Sequence, residues 1–342
     1  MSTELEDGVV DAYWRQLDAA AERALRQSGV VEQQIDLAHR HVLLRFAGPA
    51  LVDVVMPALS HLVSAKMQAA DLTVLLADGA TTAMAPPPLP WDTIPGQAWT
   101  LQTDRFSALH LPVLDSVLWF DRSSRRAIYW LPDAATCPLV ERGSPLLTLW
   151  AWWLADRGLQ LVHGAAVGSA HGAALLVGPS GSGKSTTSLL CVGSSLRYLA
   201  DDYCIVDPQL LTVHSLYCSG KVAVDDAPRF EHLARYSAGH DHEKTLYMFH
   251  PADPPIVVRQ LPLLAMIAPT VASQSATTVV PISTMAAVRA AAPSTVLQLR
   301  TGGSPGDALK RITTLASRVP CHRMDLGTDF ERIPALLGHL LG

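Results

Sequence analysis

The residue types best suited to chemistry stand together in Gly178-Pro179-Ser180-Gly181-Ser182-Gly183-Lys184-Ser185, followed by Thr186. They fit the phosphate-loop pattern G-x-x-x-x-G-K-[ST], the Walker A motif. Glycines let the backbone curl until successive N–H groups point at one phosphate, and a helix starting there adds the positive end of its dipole. Lys184 is expected to reach the β- and γ-phosphates, and the Ser185 hydroxyl to coordinate Mg²⁺. The nucleotide-binding residues predicted are therefore Gly178, Ser180, Gly181, Ser182, Gly183, Lys184, Ser185 and Thr186. The motif needs a strand before it and a helix after it. Ala173-Ala-Leu-Leu-Val177 and Thr186–Val192 have the right composition for each.

A second magnesium partner is expected at the end of an apolar strand. Arg197-Tyr-Leu-Ala-Asp201-Asp202 places two carboxylates 17 and 18 residues after Lys184, leaving room for a single helix between. Adjacent aspartates can divide labour, one on the metal and one accepting a proton from a hydroxyl acceptor. Transporter ATPases would also carry an LSGGQ-type segment, and GTPases an NKxD-like base-reading motif; neither is present. Lysine is scarce: of 26 basic residues only Lys66, Lys184, Lys221, Lys244 and Lys310 are lysines. Two of these sit in Ser-Gly-Lys, at 182–184 and 219–221, which makes Lys221 a candidate charge clamp on the transferring phosphate. Lys244, in Asp241-His-Glu-Lys244, reads as part of a charged loop. Arg259 and Arg300 are candidate phosphate or acceptor contacts without a motif behind them.

The elements that must hold these residues can be read from the rest of the chain. It has 342 residues, net charge −5 and 17% charged residues, with 49% from the apolar set. That balance excludes intrinsic disorder. The lack of basic excess excludes a generic nucleic-acid binder. Five scattered cysteines with no CxxC pair indicate neither a zinc site nor a disulfide framework. With an acidic start, MSTELEDGVVD, unlike a secretion signal, the expected compartment is the cytoplasm. The uncharged run Gln260–Val288 is broken by three prolines and reads as buried strands, not a membrane span.

Residues 4–27 have helical spacing of Val10, Tyr13, Trp14, Leu17, Ala20 and Leu25. His41–Phe46 and Leu72–Leu76 read as strands. The proline cluster Ala85–Pro90 suggests a linker, with a domain boundary between 85 and 105. Ser107–Phe120 and Ala127–Leu131 flank a turn at 121–126. Ser144-Pro145 reads as the cap and first position of a helix over Leu146–Asp156, whose Trp150, Trp152 and Trp153 are expected to pack. Strands follow at Leu161–Val167 and Ala173–Val177, then a helix over Lys184–Cys191 and a strand ending at Asp201-Asp202. Helices are expected over Pro305–Arg318, after Gly302-Gly303, and over Thr328–Leu341.

His163-Gly164-Ala-Ala-Val167, a hairpin, the loop Leu-Leu-Val-Gly-Pro-Ser-Gly-Ser-Gly-Lys-Ser and Leu199-Ala200-Asp201-Asp202 together resemble the catalytic domain of HPr serine kinase/phosphorylase. The resemblance is specific over about 161–206. It implies an α/β fold with a mixed sheet: a P-loop kinase core similar to ATP-dependent phosphoenolpyruvate carboxykinase, spanning 100–342. A smaller α+β recognition domain would precede it over 1–95. It further implies ATP (or another nucleoside triphosphate) and Mg²⁺, with Lys184 on the phosphates and Ser185 on the metal. Asp201 would be the base, Asp202 a metal ligand, and His163 would lie near the γ-phosphate. The family's ring-forming tendency makes a homo-oligomer something to test for.

The family's second motif, E-[IV]-R-G-x-G, has no match. Leu216-Tyr-Cys-Ser-Gly220-Lys221-Val222 stands in its place, followed by Asp225-Asp226-Ala-Pro-Arg229. The chain looks more like the HPr-kinase-related proteins of peptide-tailoring clusters, including lasso-peptide kinases, which phosphorylate a serine on a precursor peptide. The expectation is a kinase acting on a serine-type hydroxyl of a peptide or protein, with neither nucleic acid nor membrane as partner. The alternatives are a kinase of a small-molecule hydroxyl, such as free serine or a sugar, and a nucleotide-sensing scaffold that transfers nothing.

Overall fold

The helical stripe near the start of the chain and the short alternating strands behind it generate the first of two compact units. A computed structural model describes residues 7–87, 98–252, 255–298 and 304–342. Its units comprise residues 1–57 with 62–149, and residues 58–61 with 150–342. The boundary therefore falls at 149/150, not between 85 and 105. The reason is strand pairing: β3 (Leu72–Asp78), before the proline cluster, lies parallel to β7 (Arg126–Leu131), after it. Pro88–Pro90, Arg300 and Gly302-Gly303 are outside the described residues.

In the first unit α1 (Asp7–Ser28) is followed by β1 (Val30–Leu37), β2 (Arg40–Ala47), α2 (Val52–Leu59), β3 and the short α3 (Gly79–Thr82). Next come β4 (Trp99–Gln102), β5 (Phe106–Leu111), β6 (Ser116–Asp121), β7 and α4 (Leu139–Gly143). The sheet order is β1-β2-β3-β7-β6-β5-β4, with β2/β3 and β3/β7 parallel and the other pairs antiparallel. Val10, Tyr13, Trp14, Leu17, Ala21, Ala24 and Leu25 recur at helical spacing and bury against Leu75, Trp119, Ile128 and Trp130. The segment expected as one strand over 107–120 is itself a hairpin, β5 and β6, because Pro112–Asp115 forms a turn with Asp115 at φ +46.

The helix α5 (Leu147–Ala155) begins one residue later than expected. Ser144 closes α4 instead of capping α5, and Leu146 is left-handed at φ +59. Its three tryptophans are buried.

The second unit continues with β8 (Gln160–Gly168), β9 (Ala173–Val177), α6 (Lys184–Leu190), β10 (Arg197–Ala200), β11 (Tyr203–Asp207), β12 (Thr212–Ser215) and β13 (Ser219–Ala223). A 3₁₀ segment, Val224–Tyr236, leads to β14 (Ser237–His240) and β15 (Lys244–Met248). The remaining elements are β16 (Gln260–Val271), β17 (Thr278–Pro281), α7 (Thr284–Ala292), a π-helical turn Pro293–Gln298, α8 (Pro305–Arg318), β18 (Cys321–Leu326) and α9 (Ile333–Leu340). The uncharged run thus supplies β16 and β17, but it ends inside α7, which Ser283 caps. The last helix starts at Ile333, not Thr328, after a 3₁₀ turn at Phe330–Arg332.

The larger sheet of this unit is mixed: β16 runs parallel to β9 and β18, while β8 is antiparallel to β9, β10 and β11. Its two faces carry separate apolar clusters. One contains Val162, Leu175, Leu199, Val206 and Met266 with α7 and α8, the other Ala165, Leu176, Ile267 and Leu326 with α9. A second sheet, β13-β15-β14, packs Val222 and Tyr247 with Phe230 of the 3₁₀ segment and Leu189 of α6. The fold class is α/β. Among the described residues no helix is long and apolar enough to cross a membrane.

Candidate functional site

An unbroken run of five buried apolar residues makes β9 a central strand covered on both faces, and its C-terminal end delivers the chain into Gly178. The turn from loop to α6 depends on Gly183, which sits at φ +98. A Cβ there would also run into Leu326. Ser180 and Gly181 are exposed, Ser185 and Thr186 half-buried, and Ser182 and Lys184 buried. Lys184 Nζ donates to the carbonyls of Gly178 (2.8 Å) and Pro179 (3.0 Å). Burial holds its pKa below the usual lysine range, with Asp201 and Asp202 opposing that shift. Ser182 Oγ is buried without a hydrogen-bond partner among the described residues, as is Thr187 Oγ1.

The aspartate pair comes to this loop through β8. β10 and β11 run one after the other antiparallel to β8, with Ala200 opposite Ala166 and Tyr203 opposite His163. Asp201 and Asp202 occupy the break between them. The Gly164 N–H donates to the Asp202 carbonyl (2.9 Å), and Gly164 pairs with Val177, the residue before the loop. One backbone position therefore links the strand break to the phosphate loop.

Lys221 joins the same cluster from β13. Its N–H donates to Asp201 Oδ2 at 2.9 Å, and its Nζ lies 3.1 Å from Asp202 Oδ2. The preceding residue is closely packed: a Cβ on Gly220 would stand 2.7 Å from Leu189 Cδ2 and 3.1 Å from Phe249 Cε2, so those side chains would have to shift. Tyr198 OH donates to the Ser219 carbonyl (2.7 Å) and anchors the strand. The two Ser-Gly-Lys sequences thus deliver their lysines to one pair of carboxylates.

Burial raises the Asp201 pKa to about 6, the charge of Asp202 adding to the effect and the Lys221 N–H and Ser185 hydroxyl opposing it. Burial also works against ionisation of Asp202, but Lys221 and then His163 hold it below the ordinary carboxylate range. His163 is half-buried, and its ring stacks on Tyr203 with centroids 5.1 Å apart. Its backbone N–H donates to Thr295 Oγ1 (3.2 Å), and Ser294 Oγ donates to the Gly178 carbonyl (3.2 Å).

Three contributors had no sequence signal strong enough to find them. Ser294 and Thr295, both fully buried, come from a π-helical turn more than a hundred residues after the loop. Ser188 Oγ lies 3.5 Å from Asp201 Oδ1. Lys244, expected to be only a loop residue, sits at the start of β15 with its charge acting on both Asp202 and Lys184. Its rarity as a lysine was the available clue. Of the two arginine candidates, Arg259 is held elsewhere, its Nε donating to the His61 carbonyl (2.9 Å), and Arg300 lies outside the described residues. A scan against protein-family models finds no match, and a search of curated proteins finds none either.

Proposed function

We propose that this chain is an ATP- and Mg²⁺-dependent kinase that transfers a γ-phosphoryl group to a serine-type hydroxyl on a peptide or protein. Its core would be of the HPr-kinase-related type. The observation that carries the proposal is the linkage of the phosphate loop to Asp201 and Asp202 across Gly164 of β8. A turn that merely joined β9 to α6 would not need a buried lysine beside two acidic groups.

The residues fit the groups they would hold. The buried Ser182 hydroxyl lacks a partner among the described residues, and Lys184 is satisfied by loop carbonyls at the place where the motif puts phosphate oxygens. The α6 helix has only seven residues, so loop N–H groups and Lys184 must supply most of the field for phosphate. Ser185 and the aspartates offer oxygen donors, which suit Mg²⁺. When bound, the metal would neutralise charge on the β- and γ-phosphate oxygens. Lys184 would hold those oxygens, His163 would lie near the γ-phosphate, and a carboxylate would receive the acceptor's hydroxyl proton. Such catalysis rests on positioning and electrostatic stabilisation.

The test is incubation of the full chain with γ-labelled ATP and, in parallel, serine-containing peptides, free serine and a sugar, with mass spectrometry locating the phosphate. Label on a serine supports the proposal. Label on free serine or a sugar alone transfers it to a small-molecule acceptor, and nucleotide binding with no transfer or hydrolysis rejects it in favour of a scaffold.

A further inference from the structure

The two aspartates differ in what surrounds them. Asp201 is 1% exposed. Its Oδ2 accepts the Lys221 N–H, its Oδ1 faces Ser188 Oγ, and the Ser185 hydroxyl stabilises its charge. Its oxygens are committed to the floor of the loop, beside the hydroxyl that the motif assigns to the metal. Asp202 keeps 27% of its side chain exposed. Its backbone is left-handed at φ +62, an uncommon conformation for a residue other than glycine, held here within a strand break.

A general base must come within hydrogen-bond reach of the proton it removes, about 2.6–3.2 Å. An acceptor on a separate molecule reaches the more exposed of two neighbouring carboxylates, and Asp202 is half-buried where Asp201 is fully buried. That requirement selects Asp202. Lys221 binds both members of the pair, through its amide on Asp201 and its ammonium on Asp202, so it sets their relative placement.

Resting on the kinase function proposed above, we propose that Asp202 takes the acceptor's proton, that Asp201 anchors Ser185 on the metal side, and that Lys221 positions both. This reverses the division implied by the family resemblance and moves Lys221 from the phosphate to the carboxylates. In the transfer the acceptor O–H bond breaks and its proton passes to an Asp202 oxygen. The acceptor oxygen forms a bond to the γ-phosphorus of the nucleoside triphosphate. The bond from that phosphorus to the β–γ bridging oxygen breaks, and its electron pair leaves with the nucleoside diphosphate.

The test compares full-length wild type with Asp201→Asn and Asp202→Asn, since asparagine tolerates the left-handed backbone at 202. Calorimetry measures binding of Mg·ATP, water-proton relaxation measures Mn²⁺ held with ATP, and single-turnover assays follow label from γ-labelled ATP to serine-containing peptides and to water. Asp202→Asn should bind Mg·ATP within about threefold of wild type and transfer at least about 100-fold more slowly. Asp201→Asn should lose about tenfold or more in Mn²⁺ affinity. Near-normal transfer by Asp202→Asn, or lost transfer with normal Mn²⁺ binding by Asp201→Asn, overturns the division. A wild-type chain that binds no ATP, or binds it and never releases label, overturns the kinase function itself.

Discussion

The ammonium of Lys221 stands 3.1 Å from an Asp202 oxygen, with only 9% of the lysine side chain exposed. In water such a pair contributes little, but burial makes it costly to leave either partner alone. Lys221→Met should therefore lower kcat by about 10- to 100-fold with the KM for ATP within about threefold, and Lys221→Arg should restore much of kcat. A rise in KM for ATP without loss of kcat would assign Lys221 to the phosphate instead. Steady-state kinetics on the three proteins separates the two.

Lys184 is the other buried lysine, and its expected partner is phosphate. Lys184→Ala should lower phosphotransfer by about 10² to 10³. Nucleotide affinity should fall as well, because the same ammonium would contact ground-state phosphate oxygens. Calorimetry with Mg·ATP, alongside labelled transfer, checks both effects.

Gly183 combines a positive φ with no room for a side chain against Leu326. Gly183→Ala should destabilise the second unit by about 1–3 kcal/mol and weaken ATP binding, whereas Ser180→Ala, at an exposed loop position, should leave stability within about 0.5 kcal/mol. Denaturant unfolding curves read the difference.

The stability of the second unit should also depend on pH through His61. Burial pulls its pKa down to about 3, with Arg259 and His250 adding to the effect, and Nε2 is spent on a 2.9 Å hydrogen bond with Ser215 Oγ. The unfolded chain binds the proton near pH 6.5 and the folded one does not, so stability is fully present above about 6.5 and falls as pH drops towards 3. The expected loss is roughly 1 kcal/mol at pH 5.5. Urea unfolding at pH 7.5 and 5.5 should show it in wild type and much less of it in His61→Gln.

Local patterns in the chain announce local structure well. Pro305–Arg318 is a helix with the expected bounds, β9 has the expected strand bounds, and the apolar stripe from Val10 to Leu25 is the buried face of α1. In each case the signal lies within one element, where side-chain period and backbone geometry are directly coupled. The boundary near the proline cluster was misplaced because β3 finds its partner β7 about fifty residues downstream, and no local residue type encodes that pairing. Ser144-Pro145 misled for a similar reason: a serine suits either end of a helix, and the preceding α4 used it.

The sequence by itself determined that a phosphate-loop motif stands between a strand and a helix, that two aspartates follow closely, and that lysine is rare enough for each one to matter. Those are properties of spacing and residue type along the chain. Only the tertiary structure decided that Gly164 couples the loop to the strand break, that Ser294 and Thr295 brace it, that Lys221 comes to both carboxylates, and that the charge of Lys244 acts on Asp202. It also separated a buried Asp201 from a more open Asp202. Burial and pairing arise from strands distant in sequence that meet across two sheets, and adjacent identical residues carry no trace of which will face solvent.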